Sequence, residues 1–150
     1  MKILKPSTLI FITALALFAC NTGKTDDLKT KDRLADNQNT EIVSGDDIQI
    51  YYFHNTKRCA TCNAVEDETK LTLEMFYPEQ VEAGTIEFQS LNMEEHDGEA
   101  MAESLQVSGQ TLLIVKGEAR VNLTNDGFMN ARTNPAQFHE ILRNTIDELL

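Results

Sequence analysis

Lys57-Arg58-Cys59-Ala60-Thr61-Cys62 decides the reading of this chain: two thiols at a C-x-x-C spacing, with two cations directly before them. On the amino-terminal side, Asp47 to His54 (DIQIYYFH) reads as a strand. Ile48, Ile50 and Tyr52 share one face and Gln49, Tyr51 and Phe53 the other, so apolar groups occupy both, as in a central strand covered on both sides. On the carboxyl side, Val65, Thr69, Leu73 and Phe76 form a helical stripe that starts from Cys62, and Pro78 is expected to stop it. Strand, turn and helix in that order put Cys59 on an exposed turn at a helix start and Cys62 one turn inside. Aligned peptide dipoles favour negative charge at a helix N-terminus. Lys57 and Arg58 add to this, whereas Glu66, Asp67 and Glu68 in the first turns oppose it. Because the thiolate is the nucleophile, Cys59 is read as the attacking thiol and Cys62 as the one that resolves the mixed disulfide.

Working outward, Thr85 to Asn92 reads as a second strand. A helix carrying Ala100, Met101, Ala102 and Leu105 lies within Glu94 to Gln106. After a turn at Ser108-Gly109-Gln110, the apolar run Thr111 to Val115 suits a buried strand. Lys116-Gly117-Glu118 then turns into an edge strand, Ala119 to Leu123. Thr124 to Thr133 reads as a loop around Gly127, braced by Asp126 and Arg132. The last helix has Asn134 as N-cap, Pro135 at its first position and Gln137 placed for a capping box. Its amphipathic stripe is Phe138, Ile141, Leu142, Thr145 and Leu149.

The 150 residues are enough for one domain with a core. Met1 to Ala19 reads as an export signal: Lys2 and Lys5 precede an apolar stretch, Leu9 to Phe18, that is too short to span a bilayer. Leu17-Phe18-Ala19-Cys20 resembles a bacterial lipobox, which implies cleavage before Cys20 and its lipidation. Residues 20–46 are polar and hold too few apolar groups for a core. They read as a flexible tether with a reach of about 25–30 Å. A periplasm-facing lipoprotein of the cell envelope is the expected location. The net charge is −11, and it becomes −13 once Lys2 and Lys5 are removed. So acidic a chain is not expected to bind nucleic acid. One thiol pair does not make a disulfide-stapled scaffold. There is no glycine-rich phosphate loop, and no cofactor is expected.

The order strand, C-x-x-C, helix, strand, helix, strand, hairpin strand, helix resembles the thioredoxin fold from Ile48 to Leu150, with its usual first strand and helix absent or degenerate. Leu91-Asn92-Met93-Glu94, Leu105-Gln106-Val107 and Thr111 to Glu118 carry the likeness in the second half. It implies an α/β domain over 47–150, a central mixed sheet with flanking helices, and thiol–disulfide exchange with protein thiols or disulfides or with a redox partner subunit. Two positions depart from that family. Gln110 stands where it places a cis-proline against the dithiol, and Phe53 where it carries a buried acid. More narrowly, Tyr52-Phe53-His54, Arg58-Cys59, Thr61-Cys62, Ala64, Glu66, Asp126-Gly127-Phe128, Asn130-Ala131-Arg132 and Asn134-Pro135 resemble bacterial thioredoxin-like proteins described as a nitrophenyl-compound nitroreductase subunit associated with arsenic-resistance gene clusters. That resemblance implies that a partner supplies any flavin or nicotinamide. Two other readings of the thiols stay open. Cys59 and Cys62, with His54 as third donor, suit a soft metal or arsenite; alternatively, the domain is a non-catalytic subunit of a reductase complex. His54 is otherwise read as tuning the thiolate or, more simply, as a satisfied strand-end histidine.

Overall fold

The structure, a computed structural model, describes residues 45–150. The export segment over 1–19, Cys20 and almost all of the 20–46 tether lie outside the described residues. The elements are β1 (Ile48–His54), α1 (Ala60–Phe76), α2 (Pro78–Glu82), β2 (Ile86–Asn92), α3 (His96–Ser104), β3 (Thr111–Lys116), β4 (Ala119–Asn122), α4 (Thr124–Asn130) and α5 (Pro135–Leu149).

Alternating apolar side chains on both faces make β1 the centre of the sheet, whose order is β2-β1-β3-β4. β2 runs parallel to β1, with Ile50 beside Phe88 and His54 beside Asn92. A parallel neighbour needs a crossover, and α1 with α2 supplies it. β3 runs antiparallel to β1, with Tyr52 opposite Leu112, and β4 closes a hairpin on β3. On one face Ile48, Ile50, Tyr52, Leu112 and Ile114 pack against Val65 and Leu73 of α1 and against Phe138, Leu142 and Ile146 of α5. On the other face Tyr51 and Phe53 pack with Ala102 of α3. The result is a thioredoxin-like fold: a mixed four-stranded sheet with helices on both faces.

One local expectation is extended and four are corrected. Pro78 does not only end α1; it occupies the first turn of α2, where a missing N–H costs nothing. Phe76 is 39% exposed, under the guanidinium of Arg143 at 4.2 Å, while Thr72 is fully buried. The buried threonines satisfy their hydroxyls within the helix: Thr69 Oγ1 donates to Val65 O and Thr72 Oγ1 to Glu68 O, both at 2.7 Å. The stretch expected as a loop over 124–133 is largely α4. Its Gly127 lies against α1 so closely that a Cβ there would sit 3.3 Å from both methyls of Val65. Among the described residues no ion pair joins Asp126 to Arg132; Asn130 Nδ2 instead donates to the Asp126 carbonyl at 3.0 Å. At the start of α5, the side chain of Asn134 caps no backbone N–H. Its Nδ2 donates to Gln137 Oε1 at 2.9 Å, so the capping box is not formed.

Candidate active site

The loop from Asn55 to Arg58 leaves the carboxyl end of central strand β1, the edge at which open α/β sheets build their sites. The neighbouring strand holds this loop in place. Met93 N–H donates to the His54 carbonyl at 2.8 Å. Asn92 Nδ2 donates to Thr56 Oγ1 at 3.0 Å, and Thr56 N–H donates to Glu94 Oε2 at 3.3 Å. Gly98 in α3 allows the close approach behind this brace: a Cβ there would fall 2.0 Å from the Asn92 carbonyl oxygen.

Cys59 is the N-cap of α1 in extended conformation, and its Sγ accepts the Cys62 N–H at 3.1 Å. Cys59 is exposed and Cys62 is 3% exposed, and the two form a disulfide with Cα atoms 5.0 Å apart. The sulfur that meets solvent thus sits where an N–H and the helix dipole favour negative charge. On the inner side, Cys62 Sγ lies 3.3 Å from Gln110 Oε1, so Gln110 does meet the dithiol. Beneath, Tyr52 is fully buried and its hydroxyl donates to the Cys62 carbonyl at 2.9 Å. Burial raises the pKa of Tyr52 above its ordinary value against the opposing pull of Arg58, which keeps the hydroxyl a donor.

Of the two cations before the motif, Lys57 is exposed. Arg58 turns inward. Its Nη2 lies 2.5 Å from Glu66 Oε2 and donates to the Cys62 carbonyl at 3.4 Å, and its guanidinium lies 5.4 Å from the Tyr52 ring centre. Glu66, 8% exposed, is the site residue that the sequence did not single out. Its Oε1 also accepts from Lys70 Nζ at 2.5 Å. Burial pushes its pKa up, but the contacts with Lys70, Arg58 and Ser90 outweigh this and hold the carboxyl below its ordinary range. The available signal was the i,i+4 spacing of Glu66 and Lys70 along α1, whereas Arg58 reaches Glu66 from the loop before the helix.

His54 turns toward its own loop. Its Nδ1 lies 3.0 Å from the Asn55 carbonyl and its ring is tilted on Tyr52 at 5.9 Å between centres. Among the described residues no group of three or more His, Cys, Asp or Glu is gathered where it could hold a metal ion. The described helices include none long and apolar enough to cross a membrane.

No family model matches the chain, and no curated protein does. Solved structures similar to it include thioredoxins. Similarity to the germline-specific thioredoxin Deadhead of Drosophila melanogaster covers 70% of this chain and 83% of that one, at 16% identity and a TM-score of 0.45. Similarity to thioredoxin O2 of Arabidopsis thaliana in its oxidised state covers 67% and 76%, at 17% identity and a TM-score of 0.44. For chloroplastic thioredoxin z the figures are 66% and 78%, 22% and 0.43.

Proposed function

We propose that this chain is a membrane-tethered, extracytoplasmic thiol–disulfide oxidoreductase. The observation that carries the reading is the asymmetry of the pair: Cys59 is exposed at a helix N-cap and Cys62 is buried behind it. In the reducing direction, the Cys59 thiolate attacks one sulfur of a substrate disulfide. A Cys59–substrate bond forms, and the substrate's other sulfur leaves as a thiolate that takes a proton from solvent. Cys62 then loses its proton and attacks Cys59 Sγ, which closes the Cys59–Cys62 disulfide and releases the second substrate thiol. Two electrons pass from the dithiol to the substrate, and the reverse sequence oxidises a substrate dithiol. Lys57, on the solvent side, adds positive potential where an incoming disulfide approaches.

The narrower resemblance supports a finer reading: a subunit that hands electrons to, or takes them from, a partner holding the flavin or nicotinamide. The lipobox-like stretch supports anchoring through Cys20. More than one acyl chain is needed to hold a protein stably, and this acidic chain has no polybasic stretch to assist.

Trapping tests the exchange. With Cys62→Ala, mixed disulfides through Cys59 accumulate in cells and dissolve on reduction. An absence of any trapped species at expression levels matching wild type removes the proposal. Palmitate labelling tests the anchor: wild type takes up label and Cys20→Ser does not.

A further inference from the structure

Arg58 is next to Cys59 in the chain, yet its guanidinium is engaged by other groups. Its guanidinium lies between the Cys62 carbonyl, at 3.4 Å, and the carboxylate of Glu66, at 2.5 Å. Both ends of this pair are largely buried, so the contact between Arg58 Nη2 and Glu66 Oε2 is little screened by solvent. A cation adjacent to a thiolate stabilises it, but one already neutralised by a carboxylate contributes little.

We propose that Glu66 is a positioning residue for the dithiol: by holding the Arg58 guanidinium against the Cys62 carbonyl, it withholds that charge from Cys59 and makes the couple more reducing than its sequence motif alone would be. This deepens, and rests on, the dithiol reading above. Four groups face the Glu66 carboxylate: Arg58 from the loop, Lys70 on α1, Ser90 on β2 and Tyr52 on β1. Lys70 is largely exposed and screened by solvent, which leaves Arg58 as the partner through which Glu66 reaches the sulfur. A more stable Cys59 thiolate favours the reduced form of the pair and raises its potential. Glu66 therefore acts in the opposite direction to Lys57 and the helix terminus.

The test uses the full chain as wild type, Glu66→Gln, Arg58→Gln and the double variant. The readouts are the dithiol/disulfide equilibrium against glutathione and the pH profile of Cys59 alkylation. Glu66→Gln shifts the equilibrium about threefold to tenfold toward the dithiol, or ~15–30 mV, and moves the alkylation profile to lower pH. Arg58→Gln moves both in the opposite direction. In the Arg58→Gln background the shift on removing Glu66 shrinks by about half or more, the signature of coupled sites. Glu66→Asp keeps the charge but shortens its reach to Arg58. It moves both readouts as Glu66→Gln does, by less, and serves if the glutamine variant fails to fold. A reversible couple that is unchanged in both Glu66 variants overturns this inference alone. A full-size shift in the absence of Arg58 overturns the route through Arg58. A pair that never cycles reversibly overturns the dithiol reading, and this inference with it.

Discussion

Gln110 Oε1 lies 3.3 Å from Cys62 Sγ, while the partner sulfur, on Cys59, accepts a backbone N–H at 3.1 Å. The two halves of one disulfide therefore face groups of opposite polarity. When the bond is reduced, the N–H favours a thiolate on Cys59, and the amide oxygen favours a proton on Cys62, since a hydrogen bond to one protonation state stabilises that state. In the proposed exchange this polarity orders the chemistry: Cys59 attacks, and Cys62 waits as a thiol.

The contact predicts that Gln110 tunes the second step of the proposed exchange. In Gln110→Glu a carboxylate replaces the amide oxygen and holds the Cys62 proton more firmly. Resolution of a Cys59 mixed disulfide slows severalfold, because only the thiolate of Cys62 attacks. Gln110→Ala removes the acceptor and moves the rate the other way. Single-turnover measurement of mixed-disulfide decay by acid quench reads both. Equal rates in wild type and both variants would mean that the contact has no kinetic role.

Gly98 and Gly127 are both helical glycines under close packing, yet their substitutions differ in cost. At Gly98 the added methyl meets the Asn92 backbone, with the carbonyl oxygen at 2.0 Å and its carbon at 2.6 Å. Backbone cannot swing aside, so α3 or the end of β2 has to move. Gly98→Ala is expected to lose about 2 kcal/mol or more and to loosen the Asn92–Thr56 bridge behind the Cys59 loop. At Gly127 the neighbours are the Val65 methyls at 3.3 Å, which yield by a few tenths of an ångström, so Gly127→Ala costs less. Urea denaturation of the two variants checks the ranking; a Gly98→Ala as stable as wild type refutes the clash argument.

How legible each part was follows from where its signal lay. The sheet was readable because β1 carries apolar groups on both faces and the 116–118 turn is local, so periodicity alone placed β1, β3 and β4. α4 was hidden because Gly127 looks like a breaker, whereas its purpose is closeness to Val65 of α1, a contact across 62 positions. The signal for the two thiols, one exposed and one buried, was likewise local. Glu66 was counted as negative charge near the thiols, but its pairing with Arg58 depends on how the loop folds back over α1, and no spacing rule encodes that. The same holds for Gln110: the resemblance located it opposite the dithiol, and only the folded chain brings its amide oxygen to Cys62.

Gln106 ends α3 in the left-handed region, at φ 56°. Its N–H donates to the Glu103 carbonyl at 3.0 Å, and Val107 N–H donates to the Ala102 carbonyl at 2.7 Å, the paired bonds of a Schellman terminus. A side chain in that conformation costs roughly 1–2 kcal/mol, whereas glycine there gives back ~0.5–1 kcal/mol in unfolded-state entropy. Gln106→Gly is therefore expected to stabilise the domain by about 0.5–1 kcal/mol, read as a higher urea midpoint at unchanged slope. A lower midpoint would mean that the glutamine side chain makes compensating contacts along the cleft formed with Arg120 and Asn122.

The Glu66 pairing also sets a pH dependence. Burial works against the ionised carboxyl, but Lys70, Arg58 and Ser90 prevail, so the folded pKa lies below the reference value of 4.5. A depressed carboxyl contributes stability that is present above the unfolded value and lost as pH falls through the folded one. Glu66→Gln resembles the protonated carboxyl at every pH. At neutral pH it leaves Arg58 without its counter-charge and is expected to lie about 1–3 kcal/mol below wild type. As pH drops below 4.5, wild type loses that advantage while the variant has none to lose, so the two urea midpoints converge. Midpoints that stay parallel from neutral pH into the acid range would show that the buried carboxylate adds nothing through its charge, leaving Arg58 held by the Cys62 carbonyl and the Tyr52 ring alone.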